Sequence, residues 1–326
     1  DVWRGIAQDS LVMILDDIAC AGGMGPFLIT SPLGRNKKLI PGEVVKTLIE
    51  GCQEFCELLT KLGIPCVFAG GETADIGDLV RTVVVDNTIT VRFPRSEVID
   101  AGNIKAPAFI VGFSSTGQAA WETKPNSGIG SNGLTNARHD VLSSDYRVHT
   151  ETFSPETDAD LIYCGEYPLE DHFPGSEDFT IGSALLSPTR TYLPLINRIL
   201  RSVVKKYIMG FILCSGGGQT KIGKFGQEGI TYIKDNLFPI PPLFRTLQRV
   251  RNLPWHEMYS TYSMGHRLEV IVSTIEAAVE CLHHAEACGI EARIVGSVVC
   301  NTVCNTDRTK KNVLIRSSKG EFRYTF

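Results

Sequence analysis

The chain has 326 residues, 43% of them hydrophobic, which is enough for a sizeable core; at about 100–200 residues per domain, two domains are expected. With 32 Lys+Arg against 36 Asp+Glu the net charge is −4, so no overall electrostatic footprint for nucleic acid or an anionic membrane exists, and any polyanion has to be bound locally. Apolar runs fall short of the roughly 20 residues of a membrane-spanning helix, no secretory signal pattern opens the chain, and the ten cysteines sit mostly in apolar runs, as reduced thiols of a cytoplasmic protein do.

From the N-terminus, Leu11, Ile14, Leu15 and Ile18 recur at helical spacing until Gly22-Gly23, which puts Asp17 beside a buried face. Pro41 opens and Gly63 closes a second helix, with Leu48, Cys52, Phe55, Cys56 and Leu59 on one side. "IPCVFA" (64–69) predicts a short strand ending at a glycine pair. "RTVVVDNTITVRF" (81–93), rich in β-branched residues, predicts paired strands with a turn at Asp86-Asn87.

The polar stretch 95–107 reads as a linker, which divides the chain into domains 1–102 and 103–326, and "AFIVGF" (108–113) reads as the first strand beyond it. Residues 123–178, rich in Ser, Asn, Gly, Asp and Glu, predict long loops. A helix is expected over 191–207, with Tyr192, Leu195, Ile196, Ile199 and Val203 on its apolar face and Pro194 in its first turn. "RLEVIV", "STIEAAVECLHHAEAC" and "IEARIVGSVV" then read as a βαβ unit. Alternating strands and helices make the class α/β (α+β).

Three glycine-rich breaks follow apolar strands: "AGGETAD" with Gly70 and Gly71, "SSTG" at 114–117, and "SGGGQTK" at 215–221. Glycines at such points let backbone N–H groups approach phosphate oxygens, and Lys221 adds a cation. A tight turn explains any one of them equally well; three together favour a phosphorylated ligand. Asp16, Asp17, Glu72, Asp75 and Asp78 are the complement, since Mg²⁺ is held by one or two carboxylates plus substrate phosphates. Asp17 and Glu72 are assigned that role, Asp75 a supporting one, and Asp78 a helix-capping one.

Arg190 in "SPTRTY" (187–192) stands where it can meet an anion near a helix N-terminus, although capping alone also accounts for the motif. His283 and His284 read as surface residues, while His256 and His266 are either core or substrate-facing. Cys300 and Cys304 lack a second ligand pair and read as a surface loop without metal. No Ser or Cys sits in a nucleophile-elbow pattern.

"LDDIACAGG", "GGETAD", "GFSSTG", "GSNGLTNAR", "SPTRTY", "SGGG" and "HEMYSTYSMGHR" occur in the order seen in the phosphoribosylaminoimidazole synthetases, or phosphoribosylformylglycinamidine cyclo-ligases. The resemblance covers essentially the whole chain and looks closest to the longer, divergent bacterial form, on "GRNKKLIPGEV", "GDLVRT" and "KDNLFPIPPLF". It implies two domains, each a mixed sheet with packed helices, and a homodimer formed through the N-terminal sheets, with sites in clefts between domains and subunits. It also implies ATP-dependent cyclisation of formylglycinamidine ribonucleotide to aminoimidazole ribonucleotide.

By the same resemblance Asp17 and Glu72 are catalytic and hold Mg²⁺, and together with Asp75, Gly70, Gly71, Gly216, Gly217 and Gly218 they bind ATP. Ser115, Gly117, Ser131, Asn132 and Gly133 help bind substrate or nucleotide, and Arg190, from its own position before a helix, is assigned to substrate. The chain departs from the pattern in three places. Gly130 stands for a histidine, Met209 and Leu213 stand for histidines before the glycine-rich loop, and the family's leading Asp-Gly-x-Gly-Thr-Lys segment is expected upstream of Asp1, unless the protein has lost it. These departures keep two alternatives open: another ATP-using relative, of the selenophosphate synthetase or thiamine-phosphate kinase kind, and a non-catalytic nucleotide-binding subunit.

Overall fold

A computed structural model describes residues 2–304 and 307–326. The first sheet and its helices comprise α1 (Val2–Cys20), β1 (Phe27–Arg35), α2 (Gly42–Lys61), β2 (Cys66–Asp75), β3 (Val83–Val85) and β4 (Thr88–Val91). The remainder comprises β5 (Ala108–Ser114), α3 (Leu134–Val141), α4 (Ile181–Leu185), α5 (Leu193–Leu200), β6 (Ile208–Leu213) and β7 (Ile230–Lys234). It continues with α6 (Pro242–Arg251), α7 (Trp255–Thr261), β8 (His266–Val272), α8 (Ile275–Glu286), β9 (Ala292–Cys300), α9 (Asn301–Cys304), β10 (Asn312–Ser317) and β11 (Gly320–Thr325). No helix among the described residues is long and apolar enough to cross a membrane.

Helix α2 follows its sequence signals closely. Leu48, Cys52, Phe55, Cys56 and Leu59 are buried on one side, and the helix closes on Gly63 at φ 81°, whose N–H donates to Thr60 O while Ile64 N–H donates to Leu59 O at 2.9 Å. In the first sheet β1 is central, with β2 parallel on one side and β3 and β4 antiparallel on the other. The expected hairpin at Asp86-Asn87 does not form. Both segments run in one direction along β1, Val85 opposite Leu33 and Thr88 opposite Thr30, so the pair is an interruption within one strand.

Strand β2 does not end at the glycine pair either. Ala69 and Gly70 together face the single residue Thr30, and Gly70 takes φ 95°, which is a bulge. A Cβ on Gly71 would lie 2.0 Å from Ser31 O, so only glycine permits the pairing to resume and run on to Asp75. Phe27, Ile29 and Leu33 of β1 are buried on one face of this sheet. The opposite face is open: Leu28 is 49% exposed, Val67 55% and Val84 45%.

The second sheet has seven strands in the order β11-β10-β7-β9-β5-β8-β6. The expected βαβ unit is present as β8-α8-β9, but β5 lies between the two parallel strands and pairs antiparallel with each. One face of this sheet joins α1, α2, α5 and α8 in a single core containing Leu11, Leu48, Phe113, Ile196, Val270 and Cys281. The other face, with Ile110, Ile271 and Val298, packs on α3, α4, α6 and α7.

The helix expected over 191–207 stops at Leu200. Ser202 accepts a hydrogen bond from Val204 N–H and starts a 3₁₀ turn over Val203–Tyr207, leaving Val203 74% exposed. Residues 123–178 hold α3 and short 3₁₀ turns but otherwise run as loops.

Candidate functional site

A cavity of about 180 Å³ opens where α1, the loop at 129–132, Thr189, the end of β6 and the start of β8 converge. Asp17, Ser131, Asn132, Ser215 and Arg267 line it. Asp17 is exposed because α1 turns its apolar side, Leu11, Leu15 and Ala19, toward the core. The wall opposite is made possible by glycine. Gly128, Gly130 and Gly133 all have positive φ, and a Cβ on Gly133 would lie 2.8 Å from the Tyr262 ring. The loop is then tied by Ser131 N–H to Thr189 Oγ1 at 3.0 Å and by Asn132 Nδ2 to Thr261 O at 3.1 Å.

Beyond Ser215, Gly216, Gly217 and Gly218 take φ 65°, 136° and 50°, a run open only to glycine. Gly216 faces open space, whereas a Cβ on Gly218 would come 2.6 Å from the carbonyl oxygens of Tyr259 and Tyr262. Gln219 anchors the far side of this loop. Its Nε2 donates to His266 O at 3.0 Å and to Ser263 O, and the Lys234 ammonium donates to Gln219 O at 2.6 Å. Lys234 is neutralised by Glu269 at 2.5 Å, and Glu269 also accepts from His266 Nε2 at 2.8 Å, all within the core. Burial holds the His266 imidazole below its usual range, so it donates as a neutral ring. Burial alone would raise Glu269, but Lys234 and His266 together take it below the usual carboxylate range.

Cys214, His266 and Glu269 bring ligating atoms within 4.8 Å of one another. The Lys234 ammonium and His266 Nε2 both bond one oxygen of Glu269, so a cation already sits within the cluster, which makes it an ion-pair network. His266 is therefore a core residue. His256 stacks on Tyr324, ring centres 4.2 Å apart.

Two carboxylates dock α1 on the segment before α5. Asp9 accepts from Thr189 N–H at 2.6 Å, and the buried Asp16 accepts from Thr191 Oγ1 at 2.7 Å, Tyr192 N–H at 3.1 Å and Arg267 Nη2 at 2.8 Å. Burial raises both above the carboxylate norm, opposed at Asp16 chiefly by Arg267 and at Asp9 by its hydrogen bonds to Thr189.

Arg190 is not aimed at an anion. Its guanidinium is buried and donates to both oxygens of Glu122 and to the carbonyls of Ser114, Thr116 and Gly117, which consumes all five N–H groups and clamps the "SSTG" turn. Ser115 is buried behind that turn. Gly117 and Thr116 line a different cavity of about 500 Å³, walled by Phe173, Phe179, Phe238 and Arg245.

Gly70, Gly71, Glu72 and Asp75 lie on β2, outside the cavity that holds Asp17. Asp75 bonds the Lys37 N–H at 3.2 Å and the Lys37 ammonium at 3.1 Å, contacts that lower its pKa and brace the turn after β1. Asp78 sits exposed in the turn that follows. Arg267 is the residue of this cavity that its sequence context did not single out. A signal for Arg267 existed, since two charged residues within "HRLEVIV" are out of place in an apolar strand unless buried and paired.

Residues 1–91 match the family described as AIR synthase related protein, N-terminal domain. The chain is 27% identical over 318 residues to a phosphoribosylformylglycinamidine cyclo-ligase of Methanococcus vannielii, covering 96% of this chain and 76% of that one. It is 29% identical over 312 residues to the corresponding protein of Desulfotalea psychrophila, covering 93% and 74%. Among solved structures it is similar to E. coli HypE, a hydrogenase maturation protein (TM-score 0.57, 15% identity, 98% of this chain and 79% of that one). It is also similar to thiamine monophosphate kinase of Aquifex aeolicus (TM-score 0.54, 12% identity, 98% and 82%). These structural likenesses establish the two-sheet α/β fold.

Proposed function

We propose that this chain, with an AIR synthase related segment at residues 1–91 and a relationship to cyclo-ligases along almost its whole length, closes the imidazole ring in de novo purine synthesis. In this reading formylglycinamidine ribonucleotide and ATP give aminoimidazole ribonucleotide, ADP and phosphate. The formyl amide oxygen attacks the γ-phosphorus of ATP and ADP leaves. The amidine nitrogen then attacks the activated carbon, and the C–O bond breaks with release of phosphate.

The observation that carries this reading is the meeting of Asp17, Ser131, Asn132 and Ser215 in one cavity at the mouth of the Gly216–Gly218 loop. The loop's backbone suits phosphate oxygens, and the exposed Asp17 carboxylate suits Mg²⁺ held jointly with those oxygens. When bound, Mg²⁺ would neutralise charge on the transferred phosphoryl group. Ser131 and Asn132, held by Thr189 and Thr261, orient the substrate, a proximity task for an intramolecular closure. Gly133 supports their loop. Gly117 lines the second cavity, which we assign to the remainder of a ligand too large for 180 Å³, and Ser115 backs that wall from the buried side of its turn.

Glu72 lies outside the cavity of its own chain, so we assign it to the site of a second copy. The open face of the first sheet, with Leu28, Val67 and Val84, supports a homodimer built on that surface, with Glu72, Gly70 and Gly71 on its exposed edge strand. Domains 1–102 and 103–326 then each contribute one wall. Ten unpaired cysteines favour a cytoplasmic setting.

The test is ADP release with and without formylglycinamidine ribonucleotide. Stimulation by the ribonucleotide is expected, and release indifferent to it sinks the reading in favour of another ATP-using activity.

A further inference from the structure

Arg267 is the cation of the cavity, and its bonding is incomplete. The side chain is 7% exposed. Nη2 is committed to Asp16 and to the carbonyl of Arg190, and the guanidinium carbon lies 5.3 Å from the centre of the Tyr192 ring. Its Nε–H is buried and has no hydrogen-bond partner among the described residues. Buried guanidinium donors are ordinarily all paired, so this donor lacks the acceptor it ordinarily has, and the residue that carries it lines the cavity.

Three further features say what that group is. Gly130 leaves room over the arginine stem: a Cβ there would have Arg267 Cδ at 3.7 Å and Thr189 Oγ1 at 3.8 Å as its nearest neighbours. The cavity wall adds the hydroxyl-bearing Ser131, Thr189 and Ser215, donors suited to oxygen anions. Lys221, just beyond the glycine loop, has no ion-pair partner among the described residues, and its charge bears on Cys20 of α1 together with that of Arg267. Asp17 is the one opposing carboxylate on the wall, which favours an anion that arrives with a divalent cation.

We infer that Arg267 is the anion-binding residue of this cavity, donating its free Nε–H to an oxygen of a phosphate ester. The assignment deepens the cyclo-ligase reading but stands on the cavity's own geometry, and only the turnover arm of its test rests on that reading. Arginine suits the task because its planar donors stay charged and fixed while one of them is anchored on Asp16.

Inorganic phosphate is titrated calorimetrically, in magnesium-containing buffer, into the full chain, into Arg267→Lys, and into the double variant Asp16→Asn, Arg267→Met. The double variant removes both buried charges together, so no lone charge is stranded. Saturable binding by the unaltered chain is expected, at least ~10-fold weaker for Arg267→Lys because the Nε–H donor is lost, and absent in the double variant while its circular dichroism is unchanged. If the double variant does not fold, Arg267→Lys decides. Equal affinity in the unaltered chain and Arg267→Lys, or no binding by the unaltered chain, overturns the assignment. In turnover, Arg267→Lys raises KM for a phosphate-bearing substrate more than it lowers kcat. Unchanged KM values with normal turnover reject Arg267 and leave the cyclo-ligase reading standing. Phosphate binding without ribonucleotide-stimulated turnover rejects the cyclo-ligase reading and leaves Arg267.

Discussion

Arg267 of β8 and Asp16 of α1 meet at 2.8 Å, joining the helix of the first sheet to a strand of the second inside a continuous core. Asp16 also receives Thr191 Oγ1 and Tyr192 N–H, so three donors converge on one buried carboxylate. Asp16→Ala leaves Thr191 Oγ1 and Tyr192 N–H without their acceptor and removes the counter-ion of the buried Arg267, and is expected to destabilise the protein by about 3–5 kcal/mol in urea unfolding. A loss below about 1 kcal/mol would mean that the junction is not held by this contact.

Arg190 and Glu122 give a contrasting case. Because every N–H of Arg190 is used within the protein, Arg190→Met is expected to cost about 3–5 kcal/mol of stability. Arg190→Lys should fail to restore it, since an ammonium cannot reach both the carboxylate and three separated carbonyls. A stable Arg190→Met chain that merely binds its anion poorly would return Arg190 to the ligand.

The glycine loop separates two kinds of glycine. Gly216→Ala meets open space and carries only the left-handed backbone penalty of about 1–2 kcal/mol. Gly218→Ala adds contacts at 2.6 Å with two carbonyl oxygens and should lower the melting temperature clearly further. Equal melting temperatures for the two variants would contradict the packing of the loop on α7.

The buried His266 makes the fold acid-sensitive. Its folded pKa lies below the unfolded 6.5, so the folded state binds fewer protons; its contribution is complete above 6.5 and is lost as pH falls from there through the folded pKa. Urea midpoints for the unaltered chain should drop between pH 7.5 and 5.5, whereas His266→Gln, which still donates to Glu269, should show a flatter profile. Parallel profiles would assign the acid limb to other groups.

Leu28→Lys on the open sheet face should convert a dimer to a monomer in sedimentation and abolish turnover without unfolding the chain, because β1 keeps Phe27 and Ile29 in the core. Glu72→Gln should abolish turnover with the dimer intact. Mixing the Glu72→Gln chain with an Asp17→Asn chain should restore about a quarter to a half of the activity if the two carboxylates serve one site from different copies, as closed twofold interfaces require. No recovery on mixing would place both in one chain's site.

Elements whose signals are local are legible in the chain alone. Helix α2 follows from one apolar stripe between Pro41 and Gly63, strand β5 from a continuous apolar run, and the glycine runs from positions where only a residue without Cβ can take positive φ. Asp17 was legible for the same reason, as a carboxylate displaced from a helix's apolar side. The remaining features depend on partners distant in sequence. The bulge at Ala69-Gly70 forms opposite Thr30, and Gly71 is required by Ser31, forty residues earlier. The segments around Asp86-Asn87 lie along β1 rather than on each other, and β5 intrudes into the βαβ unit, because strand pairing is chosen by the whole sheet. Arg190 became a clamp and Arg267 the cation of the cavity for one physical reason. A buried guanidinium is defined by the acceptors brought to it, and Glu122, Asp16 and the strand-end carbonyls reach these two arginines only when the chain is folded.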